Sequence, residues 1–209
     1  MTDLGDRTAR AYRGATAEER RAARRARLIE AGIAVFGTRG FRAATVEAVA
    51  AEAGLIKRYF YESFDSLDTL LAAVYDLVVA DLHTAVTAST RTGTDLAGAL
   101  AGALDGMLAW AQDDPRRARI HLFEAPGAGS RLDERVRDNG RRFAHELSEI
   151  LRAHTPEMPL SGTEQALLGT VVVGVGQQVT TQWILDGFTP AREQVLADFG
   201  KLLLATGIG

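Results

Sequence analysis

The chain has 209 residues, with 24 lysines and arginines against 27 aspartates and glutamates, and a formal net charge of −3. At 46% apolar and 24% charged residues, the composition is that of a globular chain able to bury a sizeable core. The absence of cysteine excludes disulfides, thiolate metal sites and cysteine nucleophiles, and suits a reducing compartment.

The charge is unevenly spread. Residues 7–27 carry eight arginines (Arg7, Arg10, Arg13, Arg20, Arg21, Arg24, Arg25, Arg27) against Glu18 and Glu19 alone, whereas residues 73–209 hold 12 basic and 17 acidic groups. Such asymmetry points to a polyanion-facing N-terminal part joined to a body with another task. The N-terminus is polar, with no apolar signal segment. The longest uncharged stretch, Gln165 to Leu185, is interrupted by Gln177, Gln178, Thr180, Thr181 and Gln182, so it reads as a buried or interface helix and not a membrane span.

With 35 alanines and 5 prolines, the chain favours helix throughout. Residues 1–18 read as a flexible basic arm. A first helix is expected over roughly Glu18 to Thr38, with the apolar stripe Leu28, Ile29, Ile33, Val35 and Phe36 and a stop at Gly40. Thr45 caps a short second helix that runs to Ala53 and breaks at Gly54. A third, very short helix spans Ile56 to Glu62. Asp65 and Ser66 offer an N-cap for a long fourth helix with Leu67, Leu70, Leu71, Val74, Leu77 and Val78 at helical spacing. Further helices are expected over Thr94 to Gln112, after Asp114-Pro115, over Ser130 to Ala153, from the Ser161/Glu164 capping box to Asp186, and from Thr189-Pro190 to about Ala205. The fold class is all-α, with about nine helices.

Two short helices joined by a tight glycine turn have the layout of a helix-turn-helix, whose second helix enters the major groove of DNA. Here that helix reads Ile56-Lys57-Arg58-Tyr59-Phe60-Tyr61-Glu62. Phe60 is the inward residue, and Lys57, Arg58, Tyr59 and Tyr61 project outward, two cations and two phenols suited to phosphates and base edges. Thr45, at a helix N-terminus, can place a hydroxyl and free backbone N–H groups on a phosphate.

Residues 27–74 resemble the N-terminal DNA-binding domain of the TetR family of bacterial transcriptional repressors. The matching features are the helix ending in Phe36, then Arg39-Gly40-Phe41, Thr45-Val46, Ala50-x-x-Ala53-Gly54, Tyr61-x-x-Phe64 and the leucines that open the fourth helix. The resemblance implies a DNA-binding domain over 19–72 and a ligand-binding and dimerisation domain over 73–209. It implies a cytoplasmic, repressing homodimer that binds a palindromic double-stranded operator and releases it when a small molecule enters the second domain. It implies DNA contacts from Thr45, Lys57, Arg58, Tyr59, Tyr61 and Arg42, and a dimer interface from the last two helices, about 163–186 and 190–205. No cofactor, metal, membrane contact or catalysis is expected. Three positions depart from the family pattern. Ile56 stands where a small hydroxyl residue usually caps the recognition helix, Arg58 replaces a frequent glycine, and Leu67 replaces a basic residue that usually touches phosphate.

For the effector pocket, the large or polar candidates are Met107, Trp110, His121, Phe123, Glu124, Phe143, Gln178 and Trp183, with plain core packing the alternative for each. His121 and Glu124, three residues apart, could share one helix face. Gly98, Gly102 and Gly106 recur every four residues and permit close helix approach, and Gly169, Gly174 and Gly176 suggest a tight crossing at the dimer interface. Two rival readings stand beside this one: a helix-turn-helix regulator controlled by a protein partner, and a helical-bundle enzyme. Against the enzyme, His83, His121, His145 and His154 are scattered, with no glutamate three residues before any of them.

Overall fold

The computed structural model describes residues 16–154 and 161–205. Among them are nine α-helices and no strand: α1 (Ala17–Arg39), α2 (Val46–Glu52), α3 (Lys57–Tyr61), α4 (Leu67–Thr90), α5 (Leu96–Asp113), α6 (Pro115–Arg119), α7 (Ser130–Arg152), α8 (Gly162–Leu185) and α9 (Arg192–Ala205). A 3₁₀ turn at Phe41–Ala43 and a π-helical turn at Ile120–Glu124 complete the order.

Local chemistry explains most of the boundaries. The side chains of Thr16, Thr45, Ser66, Asp95, Asp114 and Ser161 each accept a backbone N–H in the first turn of the helix that follows. This satisfies donors that otherwise have no intrahelical partner. The expected Ser161/Glu164 capping box is present. An unexpected one, Thr16 with Glu19, starts α1 at Ala17. The proposed arm therefore gives way to helix before residue 18, and its first fifteen residues lie outside the described part of the chain. Five arginines of the basic run over residues 7–27 (Arg20, Arg21, Arg24, Arg25 and Arg27) are on α1 and not on a free tail. At the other end, Pro190 precedes α9 and does not open it; its carbonyl accepts the Trp183 indole N–H at 2.7 Å.

α1 packs on α2, α3, α4 and α6, and the central α4 pairs with α5 and α7. The core is continuous from Leu28, Phe36, Val49 and Phe60 through Leu70, Val74 and Val78 to Ala111, Ile120 and Leu147. α4 is the described helix long and apolar enough by composition to cross a membrane, yet Leu70, Leu71, Val74 and Val78 are almost wholly buried in this core. Leu77, expected on that stripe, faces outward.

Glycines set two crossings. A Cβ on Gly102 would collide with the Ser89 carbonyl of α4, so the α4–α5 pair closes as the four-residue spacing suggested. A Cβ on Gly169 would collide with the Ala144 carbonyl of α7. The tight crossing read for the dimer interface at Gly169 is instead an α7–α8 contact within one chain, and Gly174 approaches nothing.

Candidate nucleic-acid interface and effector cavity

The turn between α2 and α3 is built on Gly54, whose φ of 61° suits a residue without Cβ. The Leu55 N–H donates to the Ala50 carbonyl at 2.8 Å. Arg27, reaching from α1, donates to the Ala53 carbonyl and, at 3.3 Å, to that of Gly54. Phe60 is fully buried beneath the turn, with its ring 5.5 Å from Tyr61 and 6.0 Å from Phe64. Burial of one aromatic side chain under a five-residue helix is what allows so short a helix to persist, since isolated helices of this length are unstable.

Thr45 caps α2, accepting the Ala48 N–H at 3.1 Å, which leaves its hydroxyl proton free to donate. Tyr61, Arg42, Arg58 and Lys57 are exposed, and Tyr59 is half-buried with the Arg24 guanidinium 4.7 Å over its ring. Both recognition-helix cations have acidic partners. Lys57 pairs with Glu47, and that hydrogen bond holds the Glu47 carboxyl below its ordinary range and raises the Lys57 ammonium above its own. Arg58 pairs with Glu62 at 3.0 Å.

Glu62, which the sequence did not single out, is the hub of this surface. Its carboxylate also faces Arg24 at 3.6 Å, and its carbonyl accepts from Arg21 at 3.1 Å. The α1 arginines thus brace the recognition helix from behind, and Arg25 covers the Phe64 ring at 4.8 Å. The departures noted in the sequence have structural counterparts. Ile56 is exposed at the start of α3 with no side-chain cap, and Leu67 packs partly buried against the core.

A cavity of about 220 Å³ lies among α4, α5, α7 and α8, with α9 and the π-helical turn at its ends. Met107, His121 and Phe143 line it. The other candidates stand elsewhere. Trp110 donates its indole N–H to Asp81 at 3.2 Å, Phe123 and Gln178 are exposed, and Trp183 packs with Leu104 and Leu108 in a separate cluster. Gln177, the neighbour of Gln178, is the glutamine that faces the cavity. His83, Tyr75 and Asn139 also line it, and no local pattern marked them.

Burial pushes the His121 imidazole down to about 4, with His83 contributing, and the His83 imidazole down to about 4, with Arg142 contributing. Burial also pushes the Tyr75 hydroxyl up to about 12, against the opposing hydrogen bond to Asn139. All three are neutral at physiological pH. His83 lies flat on Phe143 with ring centroids 3.9 Å apart.

His121 and Glu124 do not share a face. The Ala125 N–H bonds to the Ile120 carbonyl at 2.9 Å, a π-type closure, and this wider turn rotates a three-residue step away from alignment. His121 points to the cavity, while Glu124 points to the N-terminal helices. There its carboxylate accepts the Phe41 N–H at 2.8 Å and the Arg119 Nε–H at 2.9 Å. Phe41 follows Gly40, whose φ of 84° turns the chain out of α1. Among the described residues no three metal-ligating groups cluster.

α2, the Gly54 turn and α3 form a helix-turn-helix, which defines the class: a DNA-binding domain joined to a helical body. Residues 28–74 match the family model of the bacterial regulatory proteins of the tetR family, and the chain carries that family's N-terminal domain. No curated protein matches the chain. Solved structures share the whole architecture at low identity. The fatty acid degradation regulator FadR from Bacillus halodurans superposes with a TM-score of 0.74 at 16% identity, covering 87% of this chain and 94% of that one. FadR from Bacillus subtilis, in complex with stearoyl-CoA, has a TM-score of 0.73 at 15% identity and covers 85% and 96%. A TetR-like transcriptional regulator from Rhodococcus sp. RHA1 has a TM-score of 0.66 at 22% identity and covers 88% and 97%.

Proposed function

We propose that the protein is a cytoplasmic, homodimeric, non-enzymatic transcriptional repressor. It binds a palindromic operator through α2 and α3 and releases it when a small molecule occupies the cavity. The observation that carries this reading is the turn Ile120–Glu124. One of its residues, His121, lines the cavity, and another, Glu124, bonds the backbone that leads into the helix-turn-helix. An occupant that moves this turn shifts α1 and α2 against α4, and so changes the spacing of the two recognition helices in a dimer. Each recognition helix must reach its half-site at a fixed separation, so a small shift costs operator affinity. The stearoyl-CoA complex of the Bacillus subtilis neighbour supports an effector with an apolar chain.

The dimer reading is supported by uncovered apolar residues on the last two helices. On α8, Leu167 is 61% exposed and Val171 50%; on α9, Leu204 is 69% exposed. Leu167, Val171 and Val175 follow at four-residue spacing, one stripe of a helix face, and contiguous exposed apolar surface of this kind marks an interaction site. In DNA recognition, Lys57 and Arg58 would exchange their acidic partners for phosphate or base edges, Tyr59, Tyr61, Thr45 and Arg42 adding contacts.

Selection of genomic fragments bound by the purified protein tests the assignment. One or a few palindromic sites should be enriched, and Lys57→Ala and Tyr61→Phe should weaken binding to them with folding intact. No enrichment, or unchanged binding by both variants, overturns it. A small apolar compound that both raises the melting temperature and dissociates the complex identifies effector control.

A further inference from the structure

No residue lining the cavity carries a charge at neutral pH. Its polar groups are Tyr75, His83, His121, Asn139 and Gln177. Tyr75 and Asn139 bond to one another, and His83 is stacked on Phe143, which leaves one under-used corner. His121 Nε2 meets the Gln177 side-chain nitrogen only at 3.5 Å, the outer limit of a hydrogen bond. His121 Nδ1 is buried with no partner. Buried polar atoms are normally paired, and the Nε2–Gln177 contact, too long to satisfy either group, keeps hydrogen-bonding capacity to spare at the cavity wall.

Charge is unwelcome here. A carboxylate or ammonium in the cavity would lose its hydration and meet no counter-ion. The open groove on the outer side of α4 and α7, which shares His83, Asn139 and Phe143 with the cavity, matches four arginines with four acids. Its net charge is therefore zero, and an anionic head there would meet as many carboxylates as guanidinium groups. Val171 and Val175, which line the cavity and are also exposed on α8, would be covered in the proposed dimer, shutting the cavity further from water.

We propose, resting on the reading of this cavity as the effector site, that the effector is an uncharged chain-like lipophile. It has roughly eight to ten non-hydrogen atoms, the room a cavity of about 220 Å³ allows when one of about 150 Å³ holds benzene, and its one hydrogen-bonding oxygen sits at the His121–Gln177 corner. A hydroxyl suits that corner best. It both donates and accepts, so it serves either imidazole tautomer and either orientation of the Gln177 amide. An ester or ketone oxygen only accepts, and serves when an N–H is turned towards it. The remaining chain lies among Val79, Val86, Leu104, Met107 and Leu147. Because His121 is in the same turn as Glu124, the polar end of the occupant acts where the body meets the helix-turn-helix.

Calorimetric titration of the full-length protein with a matched set of probes tests the proposal: 1-octanol, methyl heptanoate, octane, octanoate, octyltrimethylammonium and octanoyl-CoA. The alcohol should bind most tightly, and both ions should bind roughly tenfold or more weakly than the alcohol. The coenzyme A thioester should bind no more tightly than the methyl ester. In H121L and Q177L the alcohol should lose roughly tenfold in affinity while octane is little changed. Gln177 is half-buried, so Q177L keeps the test decisive if H121L folds poorly. Preference for an ion or for the thioester, or an alcohol affinity indifferent to both substitutions, overturns the proposal. If the alcohol binds as expected without dissociating operator DNA, the regulatory reading fails while the ligand assignment stands.

Discussion

The two halves of the molecule solve opposite packing problems. In the N-terminal part, Leu28, Phe36, Val49 and Phe60 fill the interior completely, and α1 arginines brace the recognition helix from outside. The body leaves about 220 Å³ unfilled and an apolar stripe of α8 uncovered. By the penalty measured for engineered cavities, that space forgoes on the order of 5 kcal/mol of packing. A surface that must match another rigid surface needs one fixed shape, whereas a switch needs a site whose occupation changes the energy of its surroundings.

The single substitution with the largest effect on this contrast is Phe60→Ala. It should cost about 3–5 kcal/mol in urea unfolding, because nothing nearby can collapse into the space under so short a helix. A loss below about 1 kcal/mol would show that the domain is not as tightly filled as described.

Acid should weaken the body next. His83 and His121 are held neutral down to about 4 in the fold, against an ordinary value of 6.5. Between those values the unfolded chain binds more protons. Stability should therefore be complete above pH 6.5 and fall as pH drops towards 4, by at most about 1.4 kcal/mol per pH unit for each histidine. Thermal unfolding across this window checks the slope, which His121→Leu should reduce.

Ala103→Leu, at a buried cavity wall, should raise stability by about 1 kcal/mol and abolish the response to apolar ligands. Equal ligand response would place the effector elsewhere. Glu124→Gln should cost about 1 kcal/mol, since the amide keeps the shape but weakens the bonds to Phe41 and Arg119. Its sharper readout is a ligand that still binds but no longer dissociates DNA. The smallest effect is expected at Glu47→Gln, which frees Lys57. Melting should be unchanged and operator affinity should rise a few-fold, whereas Lys57→Ala should reduce the salt slope by about 1 per subunit.

The contrast also explains what could be read from sequence. Thr45, Gly54, Phe60 and Ser66 act on neighbours within a few residues, so the helix-turn-helix and its punctuation were legible. The Thr16/Glu19 box and the role of Glu62 were not anticipated. Glu62 carries no local signal because its partners Arg21 and Arg24 lie about forty positions away in the chain. In the body, Met107, His121 and Phe143 reach the cavity, but Trp110, Phe123, Glu124, Gln178 and Trp183 do not line it. Size and polarity select candidates there without saying which way a helix is rotated.

By itself, then, the sequence determined the all-α class, most helix boundaries and the helix-turn-helix motif, because capping, turn chemistry and apolar periodicity are local. Only the tertiary structure decided that Gln177 faces the cavity and Gln178 does not, that the α1 arginines clasp the recognition helix, and that a π-type turn separates His121 from Glu124. Each of these depends on how distant helices rotate and cross, and that is settled by side chains competing for the same interior space.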